Sequence, residues 1–93
     1  MAGLLEGKNI VVMGVANQRS IAWGIAKSLA REGANLIFTN RQERSYKKLV
    51  QLLEDESMNA KLFVKCDVAS DESIEEAFNE IKEKVGTIHG VVH

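Results

Sequence analysis

Asn9-Ile-Val-Val-Met-Gly14-Val-Ala-Asn-Gln-Arg-Ser20-Ile-Ala-Trp-Gly24 is the stretch whose reading decides the fold. It opens as a nearly all-apolar run closed by glycine, which suits a strand buried on both faces, as in a parallel sheet. Ser20 then starts a helical pattern: Ile21, Ile25, Ala26 and Leu29 recur at helical spacing, and Gly33 supplies a stop. Ile10 to Leu29 therefore reads as strand, loop and helix.

The pattern repeats outward from this unit. Asn35-Leu-Ile-Phe-Thr39 is a second strand, and Tyr46, Leu49, Val50 and Leu53 form one stripe of a second helix. Lys61-Leu-Phe-Val-Lys-Cys66 is a third strand. Ser70 or Asp71 caps a third helix with the stripe Ile74, Ala77, Phe78, Ile81 and Val85, and Gly86 ends it. Ile88-His-Gly-Val-Val-His93 begins a fourth strand. The order β-α-β-α-β-α-β implies right-handed parallel crossovers and a sheet covered by helices on both faces. The expected fold class is α/β: a three-layer Rossmann-type parallel sheet, first half only, with strand order 3-2-1-4. Residues 1–93 are expected to be the N-terminal half of a single NAD(P)-binding Rossmann domain and part of a longer protein, because a fourth strand without further partners leaves an open edge.

Composition narrows the class. The chain has 93 residues, 45% hydrophobic and 27% charged, with a net charge of -1, so neither nucleic acid nor a membrane is expected as partner. The N-terminus lacks the apolar run of a signal peptide or span. One cysteine, Cys66, cannot form an intramolecular disulfide, which suits a cytoplasmic location.

The first β-α junction carries the chemistry. Gly14 has no Cβ, so the chain can turn sharply there and a ligand can approach the backbone. Ser20, at the helix entrance, can cap free amides or donate to a phosphate oxygen, beside the positive end of the helix dipole. Gly24 is expected to let helix and strand approach closely. The loop is not G-x-G-x-x-G: it is longer, and Ser20 stands where a glycine is expected. Gly14 as an ordinary strand-end glycine and Ser20 as an ordinary cap is the competing reading. Position at the first junction of a β-α-β-α-β pattern favours a dinucleotide site.

The second strand ends Phe38-Thr39-Asn40-Arg41-Gln42-Glu43-Arg44-Ser45, with no acid at its tip to meet a ribose 2′-hydroxyl. Arg41 is placed to pair with a 2′-phosphate, and Arg44 and Ser45 add contacts from the helix start. NADPH is therefore expected over NADH, against the alternative of a solvated basic turn. At the end of the third strand, Asp67 either accepts the adenine amino group, with Val68 packed on the ring, or merely starts the turn before the third helix.

Val-Val-Met-Gly14-Val-Ala-Asn-Gln-Arg-Ser20-Ile-Ala-Trp-Gly24 resembles the glycine–serine–isoleucine loop of the enoyl-acyl-carrier-protein reductases of bacterial fatty-acid synthesis, a divergent branch of the short-chain dehydrogenase/reductases. Leu36-Ile-Phe-Thr39, Cys66-Asp67-Val68 and Gly90-Val-Val-His93 resemble later landmarks of that family at compatible spacing. The resemblance implies that Gly14, Ser20 and Ile21 hold the pyrophosphate and nearby ribose, Arg41 the adenosine ribose, and Asp67 with Val68 the adenine. It implies hydride transfer from NAD(P)H to the trans-2 double bond of an enoyl thioester on acyl carrier protein, by a homotetramer. The Arg41 and Ser45 pairing resembles the NADPH-preferring members, although Gln42 stands where a second basic residue would strengthen the case.

No catalytic residue is expected in this chain, because the family's catalytic tyrosine and lysine lie downstream. Tyr46, the single tyrosine, sits on an apolar stripe, and Leu52 occupies the usual lysine offset from it. His89 and His93, read as lying near the sheet interior, are too few for a metal site, and Cys66 reads as a buried small hydrophobe. The alternatives to the cofactor-binding part of a reductase are a non-catalytic nucleotide-binding half-Rossmann module and an inactive truncation product.

Overall fold

The computed structural model describes residues 3–15, 19–41, 43–67 and 69–92. Four strands, β1 (Asn9–Val12), β2 (Asn35–Asn40), β3 (Leu62–Lys65) and β4 (Gly90–Val92), alternate with α1 (Ile21–Arg31), α2 (Glu43–Asp55) and α3 (Asp71–Val85). All pairings are parallel and the order is β3-β2-β1-β4, as the sequence pattern predicts. Val12 pairs with Phe38 and with Val92, and Asn40 pairs with Lys65.

Alternation along the strands makes two cores. Ile10, Val12, Leu36 and Phe38 point to one face, where Trp23 and Ala26 of α1 and Leu49, Leu52 and Leu53 of α2 cover them. Val11, Met13, Ile37, Val64 and Cys66 point to the other, against Ala77 and Ile81 of α3. The direction of travel reverses after β3. With right-handed crossovers, that reversal sends α3 to the opposite face from α1 and α2. Four aromatic rings line the first core: Phe38 lies against Trp23 and Phe63, and Tyr46 meets Phe63 edge-on at 5.0 Å between centroids. Tyr46 is thus a packing residue, as expected from its stripe.

Helix α1 corrects the sequence reading in two ways. Its covered face is built on Trp23 and Ala26, whereas Ile21 is 84% exposed and Ile25 also faces outward. Nor does Gly24 mark a close approach: it is exposed, and a Cβ added there meets nothing within 4 Å. The small residue that α1 buries against the sheet is instead Ala26, which is fully buried.

The amino-terminal edge of the sheet is closed by a polar network that the sequence reading did not identify. Asn9, almost fully buried, donates from Nδ2 to the carbonyls of Thr87 at 2.8 Å and Val85 at 3.5 Å. Its Oδ1 accepts from Asn35 Nδ2 at 3.2 Å and Lys61 Nζ at 3.3 Å. The Asn9 amide donates to His89 Nδ1 at 2.9 Å, so His89 is exposed but structural. One side chain thereby ties the starts of β1 and β2 to the segments leading into β3 and β4.

Candidate functional site

In an open parallel sheet the ligand crevice lies beyond the carboxyl ends of the strands, where the strand order reverses. That point is β1, flanked by β2 and β4. Gly14 follows β1 with φ +79°, a left-handed conformation that a side chain resists, and a Cβ added there meets nothing within 4 Å. Glycine is needed at this position for the turn, and the space beside it is open.

The helix entrance answers to the same purpose. Ser20 holds extended backbone (φ -63°, ψ 139°) but makes no side-chain cap hydrogen bond to α1, and no acidic residue stands in the first turn. The amides of Trp23 and Gly24 turn back to the Ser20 carbonyl at 3.1 and 3.2 Å. Those of Ile21 and Ala22 have no intrahelical partner by helix geometry. Ile21, the first helical residue, projects into open space. This is a positive helix end whose first amides lack intrahelical partners and whose first turn carries no carboxylate, suited to an anion.

Next along the edge come Arg41 and Asp67. Because Asn40 pairs with Lys65, and the Cys66 amide donates to the Asn40 carbonyl at 2.8 Å, β2 and β3 end side by side. Arg41 and Asp67 emerge as neighbours, with Arg41 Nε 3.9 Å from Asp67 Oδ1. The sequence reading weighed these two residues separately, and the structure brings them together. Asp67 is also fixed from its own side: its amide donates to Ser73 Oγ at 2.9 Å, and its Oδ1 accepts the Ala69 amide at 3.0 Å. Ser73 was missed; the spacing Asp67, Ser70, Ser73, with each small polar group holding the one before, was its signal. Arg44 is exposed and Ser45 half-buried on the first turn of α2, where the sequence put them. Val68, Gln42 and the loop residues 16–18 lie outside the described residues, as does His93.

Cys66 is buried beneath this edge. Burial pushes its thiol up from the usual 9.0, a hydrogen bond with Ser73 draws it partly back, and the Asp67 carboxylate adds to the rise. That is an inert thiol, not a nucleophile. Among the described residues, no three His, Cys, Asp or Glu side chains gather as a metal site, and no helix is long and apolar enough to cross a membrane.

The order β3-β2-β1 therefore sets Asp67, Arg41 and Gly14 in a row along one edge, on strands about 4.8 Å apart. Against this geometry stand the comparisons with known proteins. A family model described as enoyl-(acyl carrier protein) reductase matches residues 14–93. The enoyl-acyl-carrier-protein reductase FabI of Enterococcus faecalis, named for NADH, is 55% identical over 89 residues, which cover 96% of this chain and 34% of the relative. The FabI of Staphylococcus aureus, named for NADPH, is 48% identical over 89 residues, covering 96% of this chain and 35% of the relative. A crystal structure of the Bacillus cereus reductase with NADP+ and indole naphthyridinone superposes with a TM-score of 0.87 at 53% identity, covering 98% of this chain and 35% of that one. The chain thus spans about a third of the length of the curated relatives it matches.

These relatives overturn the expected preference for NADPH. The FabI proteins of Bacillus subtilis and Bacillus cereus, also 55% identical, carry the NADH name like that of Enterococcus faecalis. The expectation rested on Arg41 taken alone, whereas its side chain is 66% exposed and has the Asp67 carboxylate 3.9 Å away. A basic residue in so exposed a setting does not by itself select a phosphate.

Proposed function

This chain belongs to the enoyl-(acyl carrier protein) reductase family, and from that premise we propose that it is the cofactor-binding N-terminal part of an enzyme that reduces the trans-2 double bond of an enoyl thioester on acyl carrier protein, with NADH as reductant. The observation that carries the reading is the open carboxyl edge, where Gly14 turns through positive φ and α1 points a carboxylate-free N-terminus outward. Both features fit a dinucleotide: the glycine leaves room for its pyrophosphate, and the amides at Ile21 and Ala22 receive its charge.

When bound, the cofactor supplies a hydride, and the role of this chain is to place it. Gly14, Ser20 and Ile21 hold the pyrophosphate and adjoining ribose. Arg41 lies at the adenosine ribose, with Asp67 and Val68 at the adenine. The groups that act on the substrate belong to the rest of a single domain of which this chain forms the N-terminal half. A homo-oligomeric assembly, tetrameric by family resemblance, and a cytoplasmic location go with the same reading; the lone cysteine supports the latter.

The test uses the intact protein. It is expected to oxidise NADH when given crotonyl thioester, followed by the loss of NADH absorbance. An intact, folded protein that binds neither nicotinamide dinucleotide would overturn the proposal.

A further inference from the structure

The carboxyl edge holds one feature that a place at the adenine does not itself explain: the Asp67 carboxylate is set against Arg41 at the tip of β2. Asp67 is not placed there by that arginine. Its backbone is pinned by Ser73 and its Oδ1 by the Ala69 amide, so the carboxylate keeps its position whatever Arg41 does. Arg41, by contrast, extends from a strand end and is 66% exposed, and the charge it faces is 3.9 Å away. The pair is therefore asymmetric: Asp67 is fixed, and Arg41 adjusts to it.

We propose that Asp67 is a specificity-determining residue, which as the fixed counter-charge of Arg41 lowers the affinity of this site for a 2′-phosphorylated dinucleotide relative to one with a free 2′-hydroxyl. A 2′-phosphate has to share the Arg41 charge with Asp67, and it brings its own negative charge toward that carboxylate. A free hydroxyl meets neither cost. The effect is a bias rather than an exclusion, since the pair is exposed and screened by solvent.

The inference rests on the proposed dinucleotide site, and the experiment separates the two. Dissociation constants of NADH and NADPH are measured on the intact protein and its variants by fluorescence titration. Asp67→Asn keeps an oxygen for the Ala69 amide and removes only the charge. Any contact of this side chain with adenine is common to both cofactors and cancels in their ratio. The expected result is a shift of the NADPH-to-NADH affinity ratio by about three- to fivefold toward NADPH, the scale of an exposed ion pair. In D67N/R41Q that shift should disappear. Equal changes for both cofactors in D67N, or a shift that survives in D67N/R41Q, would overturn the counter-charge role while leaving the dinucleotide site standing. Failure of the unaltered protein to bind either cofactor would instead remove the site itself.

Discussion

Helices α1 and α3 both begin after a serine in extended conformation, and they use it in opposite ways. At α3, Ser70 Oγ accepts the Ser73 amide at 3.2 Å, and Asp71 and Glu72 add negative charge to the first turn. That N-terminus is neutralised from within. At α1, Ser20 makes no cap hydrogen bond and no acid follows it. The same residue type at the same position caps one helix and leaves the other without a side-chain cap bond or an acid in its first turn. An N-cap serine thus becomes a candidate binding residue when the charges that would complete the helix are missing from the first turn.

The comparison breaks most severely if α1 is given the acid that α3 already has. Ile21→Glu, at a side chain in open space, should leave folding intact but lower dinucleotide affinity at least tenfold, through repulsion of about 1.5 kcal/mol or more at the pyrophosphate. Titration with NADH checks affinity, and a urea melt checks the fold. An unchanged affinity would mean that α1 does not receive the phosphate.

The two serines give a paired test of smaller size. Ser70→Ala should cost about 1 kcal/mol of stability with no change in cofactor affinity per folded molecule. Ser20→Ala should reverse the pattern: a smaller stability loss, and a roughly fivefold weaker dinucleotide, the worth of about one hydrogen bond. Equal urea midpoints for the two variants would erase the distinction drawn here.

The smallest effect concerns Cys66, beside Ser73 at the α3 end of the edge. Its folded pKa is raised above the ordinary 9.0, so the unfolded chain loses this proton first. The stability tied to the buried neutral thiol is complete below that value and declines as pH rises past it. Cys66→Ala should flatten this alkaline decline in urea melts compared between neutral pH and about pH 10. Alkylation of the native thiol should accordingly be slow near neutral pH and accelerate on unfolding.

The alternation of apolar strands with amphipathic helices made the 3-2-1-4 sheet legible, because period and connection length leave few other topologies. The burial of α1 was less so. Ile21, Ala22, Trp23, Ile25, Ala26, Leu29 and Ala30 are apolar around much of the helix, and periodicity cannot say which flank of such a helix meets the sheet. The positions of the candidate residues were legible one at a time, since Gly14, Arg41 and Asp67 stand at strand ends and Ser20 and Ile21 at a helix start. Their mutual charge was not: the Arg41–Asp67 pair depends on β2 and β3 ending in register, a property of the sheet rather than of either segment. The network around Asn9 was hidden for the same reason. Its partners come from three separate stretches of chain, and only the assembled sheet brings them together.

The strand that leads into Gly14 is flanked on both sides, and its two neighbours are made at very different times. Asn35 follows Asn9 closely, whereas the Asn9–His89 hydrogen bond joins residues separated by 80 positions. At a ribosomal rate of about 5–20 residues per second, the far side of β1 waits on the order of ten seconds for its partner after its near side can pair. During that interval Val11 and Val12 stand beside an open backbone edge, and the nascent chain exposes that edge on a strand destined for the interior of the sheet.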